Sequence, residues 1–313
     1  MKPTVFPSLE ATLLPAQPLH LAIGIFDGVH LGHRAVVEAA LQSARRCGGV
    51  AGVLTFHPHP SVLFQPKTPA RLIMELPTKI RLLQRLGVDA VITHPFTPEF
   101  ARIRAEEFLP WLKERLPGLA AIYVGQNWRF GAGRSGAVAL LVAEGRRLGI
   151  SVFSAPPVNF DGEAISSTRI RALLEAGDVT AAGALLGYEY YAEGPVISGR
   201  RLGRTLNFPT LNLAWAPDLR PRYGVYVARV AGPKSGAAVP AVANYGLRPT
   251  VEQATEPRLE AHVLGACPFN QGDVIKVEWL RFLRPEMKFG GLDELQAQIA
   301  RDAADARRQF SLP

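Results

Sequence analysis

The sequence predicts two architectures in one chain: an α/β half built on a parallel sheet, then a β half that closes into a small barrel and ends in a helix. Regular alternation of apolar runs with amphipathic stretches predicts the first, because strand–helix–strand units build parallel sheets covered by helices. After Gly187 the pattern changes to short strand-like runs with turn residues between them, which predicts the barrel. The amphipathic run LDELQAQIARDAADARRQF predicts the terminal helix, with Asp293 placed to meet the positive end of its dipole. The halves are expected to part near residues 184–190, giving domains 1–186 and 187–313.

Taken in order, HLAIGI reads as a buried strand and HRAVVEAALQSARRCG as a helix closed by glycine. GVAGVLTF is strand-like, LPTKIRLLQRLG helical and VDAVITHPF a strand. RAEEFLPWLKERLPG is helical, with Pro110 expected to kink it or end it locally. LAAIYVG, GAVALLVAEGRRLG and ISVFSAPPV follow as strand, helix and strand. STRIRALLEAGDVTAAGALLG reads as two short helices separated by Gly177. Ligands on parallel sheets bind beyond the carboxyl ends of the strands. The loops GIFDGVHLGH, HPHP and GQNWRFGAGRSG are therefore expected to meet at one site.

Hydrophobic residues make up 48% of the 313 residues and charged residues 20%, the balance of a globular chain. No apolar run reaches the length of a membrane span, and the first residues lack a charged-then-apolar signal pattern. A cytoplasmic protein without a membrane partner is expected. Cys47 and Cys267 are too few for a disulfide framework or a cysteine-built zinc site. Lys and Arg outnumber Asp and Glu by 35 to 27, a net charge of +8 that points to anionic partners. The basic residues are scattered and do not alternate with aromatics, which disfavours nucleic acid and favours phosphorylated small molecules.

Three stretches carry chemistry. GIFDGVHLGH follows a strand and opens a helix, and Gly24, Gly28 and Gly32 clear space for phosphate at the helix start. His30 and His33, three apart, project from nearly one helix face, where imidazole donors can stabilise a transferring phosphoryl group. Zinc is a competing reading, although no cysteine stands near and HExxH is lacking. A glycine-rich turn with structural histidines is another. The run Ser166, Ser167, Thr168 and Arg169 offers hydroxyls and a guanidinium at a helix start, suited to phosphate or simply to capping. Thr210 and Asn212, two apart in a strand, share a face and offer two hard oxygen ligands for magnesium, unless PTLN is only a turn and a strand start. Upstream, Gly194, Gly199 and Gly203 bracket the basic loop SGRRLGR, which can fold over phosphates or stand as a solvated hairpin.

GxFDGxHxGH resembles the HxGH signature of the nucleotidylyltransferase superfamily. In this form it resembles the bifunctional riboflavin kinase/FMN adenylyltransferase family, also called FAD synthetase. TFHPHP is similar to that family's TFDPHP, VGQNWRFGAGRSG to its VGxDFRFGxxRxG, and ISSTRIR to its usual block. GPVISGRRLGRTLNFPTLNL is similar to GxVxxGxxxGRxLGFPTANL, and GLRPT and LRPEMKF also fit. The blocks run in unbroken order from about residue 20 to the C-terminus.

The resemblance implies a Rossmann-like nucleotidylyltransferase domain followed by a riboflavin kinase barrel with a terminal helix. It implies phosphorylation of riboflavin to FMN and adenylylation of FMN to FAD, both with ATP and Mg2+. His30, His33 and Arg169 would be catalytic in adenylyl transfer, with Gly24, Phe26, Asp27, Gly28, Asn127, Ser166, Ser167 and Thr168 binding ATP. In the kinase, Gly194, Gly199, Gly203 and Arg204 would bind ATP, Thr210 and Asn212 would hold the metal, and Glu260 would activate the ribityl hydroxyl. The partners expected are riboflavin, FMN and ATP, and the chain is expected to be a monomer or a weak homo-oligomer. Several positions depart from the pattern. Ile25 stands for Asn, His57 for Asp, Asn207 for Gly, Leu211 for Ala and Trp128 for Phe. His57 is expected to matter most, since it replaces a carboxylate with a possible cation near phosphates. The alternatives are a riboflavin kinase with a weakened adenylyltransferase, or a non-catalytic flavin- or nucleotide-binding regulator.

Overall fold

The computed structural model describes residues 3–199, 208–232, 237–247 and 257–312. By its contacts the chain divides into two units, Met1–Ser167 and Thr168–Pro313.

The first unit runs β1 (Thr4–Phe6), β2 (Leu19–Ile23), α1 (Leu31–Cys47), β3 (Val50–His57), α2 (Pro60–Phe64), α3 (Leu76–Arg85) and β4 (Ala90–Pro95). It continues through α4 (Pro98–Ala101), α5 (Ala105–Arg115), β5 (Leu119–Gly125), β6 (Arg129–Phe130), β7 (Gly136–Ala137), α6 (Val138–Arg147), β8 (Ser151–Ala155), β9 (Asn159–Phe160) and β10 (Glu163–Ala164). Six strands form one sheet in the order β1-β4-β3-β2-β5-β8, and every neighbouring pair is parallel. Strand β2 is buried at every position, as expected of a strand covered on both faces. Leu21, Ile23, Leu54, Ile92 and Ile122 meet Leu109 and Leu112 of α5 in the core.

The chain order reverses beside β2. From β2 it moves outward to β3 and β4, then returns to lay β5 on the other side. Open parallel sheets bind ligands at such a reversal. The loops GIFDGVHLGH, HPHP and GQNWRFGAGRSG leave the carboxyl ends of three adjacent strands, β2, β3 and β5, as the alternation predicts.

Two details add to the expectation. Strand β1, three residues between Pro3 and Pro7, adds to the sheet edge beside β4. Helix α5 continues through Pro110, so of the two outcomes expected there the local end does not occur. A proline there removes one backbone hydrogen bond, and the buried Phe108, Leu109 and Leu112 hold the turns on either side.

The second unit takes in α7 (Ser167–Ala176), α8 (Val179–Leu186), β11 (Tyr191–Ile197), β12 (Leu211–Leu213), β13 (Gly224–Ala231), β14 (Val239–Leu247), β15 (Pro257–Val263), β16 (Val274–Arg284) and a terminal helix, Leu292–Gln309. The strands close into a barrel in the order β11-β12-β15-β14-β13-β16. Trp279, Tyr226 and Tyr245 fill its interior, with the Tyr226 and Trp279 rings edge to face at 4.5 Å. The division by contacts precedes α7 and α8, whereas the change of sequence pattern follows them. The Thr180 hydroxyl of α8 donates to the Leu280 carbonyl of β16 at 2.8 Å, and the Arg222 N–H donates to Leu174 of α7 at 3.0 Å. The terminal helix carries Asp293 and Glu294 in its first turn. It is tied to β16 by a forked ion pair, Arg284 Nε to Asp302 Oδ1 at 2.9 Å and Arg284 Nη2 to Asp302 Oδ2 at 2.7 Å.

Two candidate active sites

The first site is the segment between β2 and α1. Its backbone is strained: φ is positive at Phe26 (+53°), Gly28 (+88°) and Val29 (+38°). Positive φ at non-glycine residues costs about 1–3 kcal/mol each and persists only where the surroundings over-determine it. Here they do. Phe26 and Val29 are both buried, and the Phe26 ring meets His33 edge-on at 5.3 Å. The Asp27 carboxylate accepts the Ile73 N–H at 3.1 Å (Oδ1) and 3.2 Å (Oδ2). Ser167 Oγ donates to the Asp27 carbonyl at 2.8 Å, and the Gly24 N–H donates to Leu54 at 3.1 Å. Thus Ser167 and the first loop, 140 residues apart, do meet.

His30 caps α1, its Nδ1 accepting the His33 N–H at 3.3 Å. A neutral imidazole that accepts at Nδ1 carries its proton on Nε2. The His30 and His33 rings stack at 3.6 Å, and Gly32 makes room: a Cβ there would press on the His30 ring at 3.2 Å. Asn127 is exposed in the turn after β5, across the reversal from β2. Ser166 directly precedes α7, and Thr168 and Arg169 lie in its first turn.

Beside the loop, Ile25, Asp27, His57, His59 and Lys79 line a small pocket. Lys79 is 7% exposed. Its Nζ donates to the Ile25 carbonyl at 3.0 Å and to Thr55 Oγ1 at 3.1 Å, while Thr55 Oγ1 donates to the same carbonyl at 2.9 Å. Burial brings the ammonium down to about 8, against the opposing pull of Asp27. His59 caps α2, its Nδ1 accepting the Ser61 N–H at 3.1 Å.

Partial burial, and then the Lys79 charge, hold the His57 imidazole below the usual histidine range. That direction favours the neutral ring and weighs against His57 as a second cation at this site.

The second site is a row across the outside of the barrel. Strand register sets Asn212 of β12 opposite Glu260 of β15, and Glu260 opposite Asn244 of β14. Directly opposed residues share a sheet face at about 5 Å between Cβ atoms. Asn212 is buried at 7% exposure, and its Oδ1 has no hydrogen-bond partner among the described residues. A buried amide oxygen left without a donor suits a hard cation, so this position fits magnesium. Thr210 lies half-buried just before β12. Gly199 must lack a side chain, because a Cβ there would lie 2.7 Å from Asn212 Cγ. The bare face of Gly194 is covered by the Ala214 backbone, which gives that glycine a packing role within the barrel. Gly203 and Arg204 lie outside the described residues, as do Arg200, Arg201 and Asn207.

The FAD synthetase family model matches residues 15–169, and the riboflavin kinase model matches residues 186–310. The bifunctional riboflavin kinase/FMN adenylyltransferase of Escherichia coli K12 is 38% identical over 299 residues, covering 95% of both chains. The chain belongs to this bifunctional family. The Bacillus subtilis member is 34% identical over 312 residues, covering 93% of this chain and 92% of its own. A crystal structure described as a macrolide-efflux protein from Streptococcus pneumoniae superposes with a TM-score of 0.87 at 28% identity. It covers 98% of this chain and 99% of its own, so the two-part fold recurs whole.

Against the family's blocks, sequence reasoning passed over Lys79 and Asn244. Both left a signal. Lys79 falls on the buried stripe of α3 with Leu82 and Leu83, at i, i+3 and i+4, where a charged residue stands out. Asn244 has its signal only in strand register, since Asn244 and Glu260 become neighbours through pairing.

Proposed function

We propose that the chain makes FMN and then FAD, with adenylyl transfer assigned to residues 1–186 and riboflavin phosphorylation to residues 187–313. Membership of the family makes it a transferase with both activities. The observation that carries the division of labour is the pair of built sites in one chain. One is a histidine-capped helix start at a sheet reversal, and the other is the Asn212–Glu260 row on the barrel.

In the first site an FMN phosphate oxygen attacks the α-phosphorus of ATP. The bond from that phosphorus to the bridging oxygen breaks, and pyrophosphate leaves. His30, through Nε2, and His33 donate to the phosphate oxygens as charge moves onto them. The helix start and the Ser166–Arg169 run hold the triphosphate. In the second site Glu260 takes the proton of the ribityl hydroxyl as its oxygen attacks the γ-phosphorus, and ADP leaves. Thr210 and Asn212 would hold magnesium, which neutralises charge on the transferred phosphate. The partners are the small molecules riboflavin, FMN and ATP, and the chain works in the cytoplasm. No described helix is long and apolar enough to cross a membrane.

Incubation of the purified chain with riboflavin, ATP and magnesium, followed by chromatography of the flavins, tests this. FMN followed by FAD is expected. FMN alone would leave a kinase with a silent first half, and absence of both from folded protein would overturn the reading.

A further inference from the structure

We propose that Lys79 is a positioning residue for adenylyl transfer, acting as the clamp that holds the strained loop ahead of His30 and His33. The inference rests on the adenylyltransferase reading of the first site.

The geometry is a closed triangle of hydrogen bonds. Lys79 Nζ, Thr55 Oγ1 and the Ile25 carbonyl are mutually bonded at 3.0, 3.1 and 2.9 Å. Lys79 comes from α3, Thr55 from β3, and Ile25 stands two residues past the last paired residue of β2, Ile23. The clamp therefore fixes the point at which the chain turns out of the sheet. Phe26, Gly28 and Val29 adopt positive φ directly after it, and His30 follows at once as the cap of α1. The Asp27 side chain and carbonyl are held by Ile73 and Ser167. At Ile25 the carbonyl is held by the Lys79–Thr55 pair alone among the described residues.

Burying a lysine is costly, and burial has pulled this one down to about 8. A core position needing only volume would be filled by leucine or methionine, as at Leu82 and Leu83 on the same stripe. The ammonium is retained because the carbonyl it holds sets the aim of two imidazoles. Small displacements of positioned groups lower rates far more than they lower binding.

Lys79→Met, Thr55→Val, the double variant and His33→Ala are compared with the parent chain. FAD formation from supplied FMN gives kcat and the KM for ATP, FMN formation from riboflavin is the control within the same molecule, and thermal melting gives the folded fraction at the assay temperature. Per folded molecule, Lys79→Met is expected to lower kcat for FAD at least about tenfold, with the KM for ATP within about twofold. Thr55→Val should fall less, and the double variant should be no worse than Lys79→Met, as members of one clamp are not additive. FMN formation should not change. FAD formation lost in His33→Ala but kept within twofold in Lys79→Met overturns the Lys79 role alone. Activity in Lys79→Met that is normal per folded molecule also overturns it, by showing a purely structural part. FAD formation kept in both overturns the reading of the histidines, and the clamp with it.

Discussion

The two sites are held in place by different means. The first lies on a loop at the ends of parallel strands, and its backbone takes positive φ at three residues before the helix begins. Such a loop keeps its shape only while side chains from β3, α3 and Ser167, the last residue of the first unit, grip it. The second lies on paired strands, where Asn212, Glu260 and Asn244 are aligned by backbone ladders. A loop site is thus sensitive to side chains distant in sequence, while a register site is sensitive to whatever holds the barrel closed.

The sharpest way to break the comparison is at the histidine pair. On the proposed mechanism, His33→Ala removes a donor to the transition state, and it opens the stack on His30. Removing one such donor costs about 10²–10³ in rate. FAD formation from FMN should fall by that much while FMN formation from riboflavin stays at the parent level. Steady-state rates of both reactions on one preparation check it.

The barrel should instead yield to damage at its frame. Asp302 is buried and takes a forked bond from Arg284 and a further bond from Gln298 Nε2 at 2.9 Å. Removing one partner of a buried pair strands the other charge, at a cost of about 3 kcal/mol. Asp302→Ala should lower the unfolding free energy of the barrel by that amount, seen as a lower denaturant midpoint for loss of kinase activity. FAD formation from supplied FMN should survive at denaturant concentrations that abolish kinase activity. A variant as stable as the parent would show that the terminal helix does not brace the barrel.

Within the barrel row the metal-type position should outweigh the base. Asn212→Ala removes the buried oxygen without a donor and should lower kinase kcat about a hundredfold, raising the magnesium concentration needed for half-maximal rate. Glu260→Gln should cost about tenfold, since phosphoryl transfer depends more on positioning and charge than on the base. A magnesium titration of both variants decides it, and an unchanged midpoint in Asn212→Ala would remove the metal from that position.

How much of this was legible in sequence follows the same division. HxGH and SSTR are short and local, so phosphate chemistry can be read from their residue types and spacing, beside zinc or simple capping, before any fold is known. The alternation of strands and helices likewise places GIFDGVHLGH, HPHP and GQNWRFGAGRSG on adjacent strands. The grip of Lys79 on Ile25 spans 54 residues and passes through a helix whose pattern shows only a charge on an apolar stripe. Strand β1 escaped because three residues on a sheet edge are too few for a period. Asn244 escaped because register is a tertiary fact. His57 was read by its residue type, and its shift comes first from burial and then from a lysine that sequence does not bring near.

That last point gives the smallest effect and the finest discrimination. The folded pKa of His57 lies below the unfolded value of 6.5, lowered first by burial and then by Lys79. Between the two values the unfolded chain binds the extra proton, so the stability His57 contributes is full above the unfolded pKa and drains as pH falls through that window. The charge it brings to the phosphate site follows the same axis, absent at pH 7 to 9 and present only on the acid side. The ratio of FAD-forming rates for His57→Asn and the parent chain should therefore be flat, within about twofold, above pH 7 and should diverge only below about 6. A ratio that already departs from unity at pH 8 and stays constant would mean that the imidazole acts as a neutral hydrogen-bonding group.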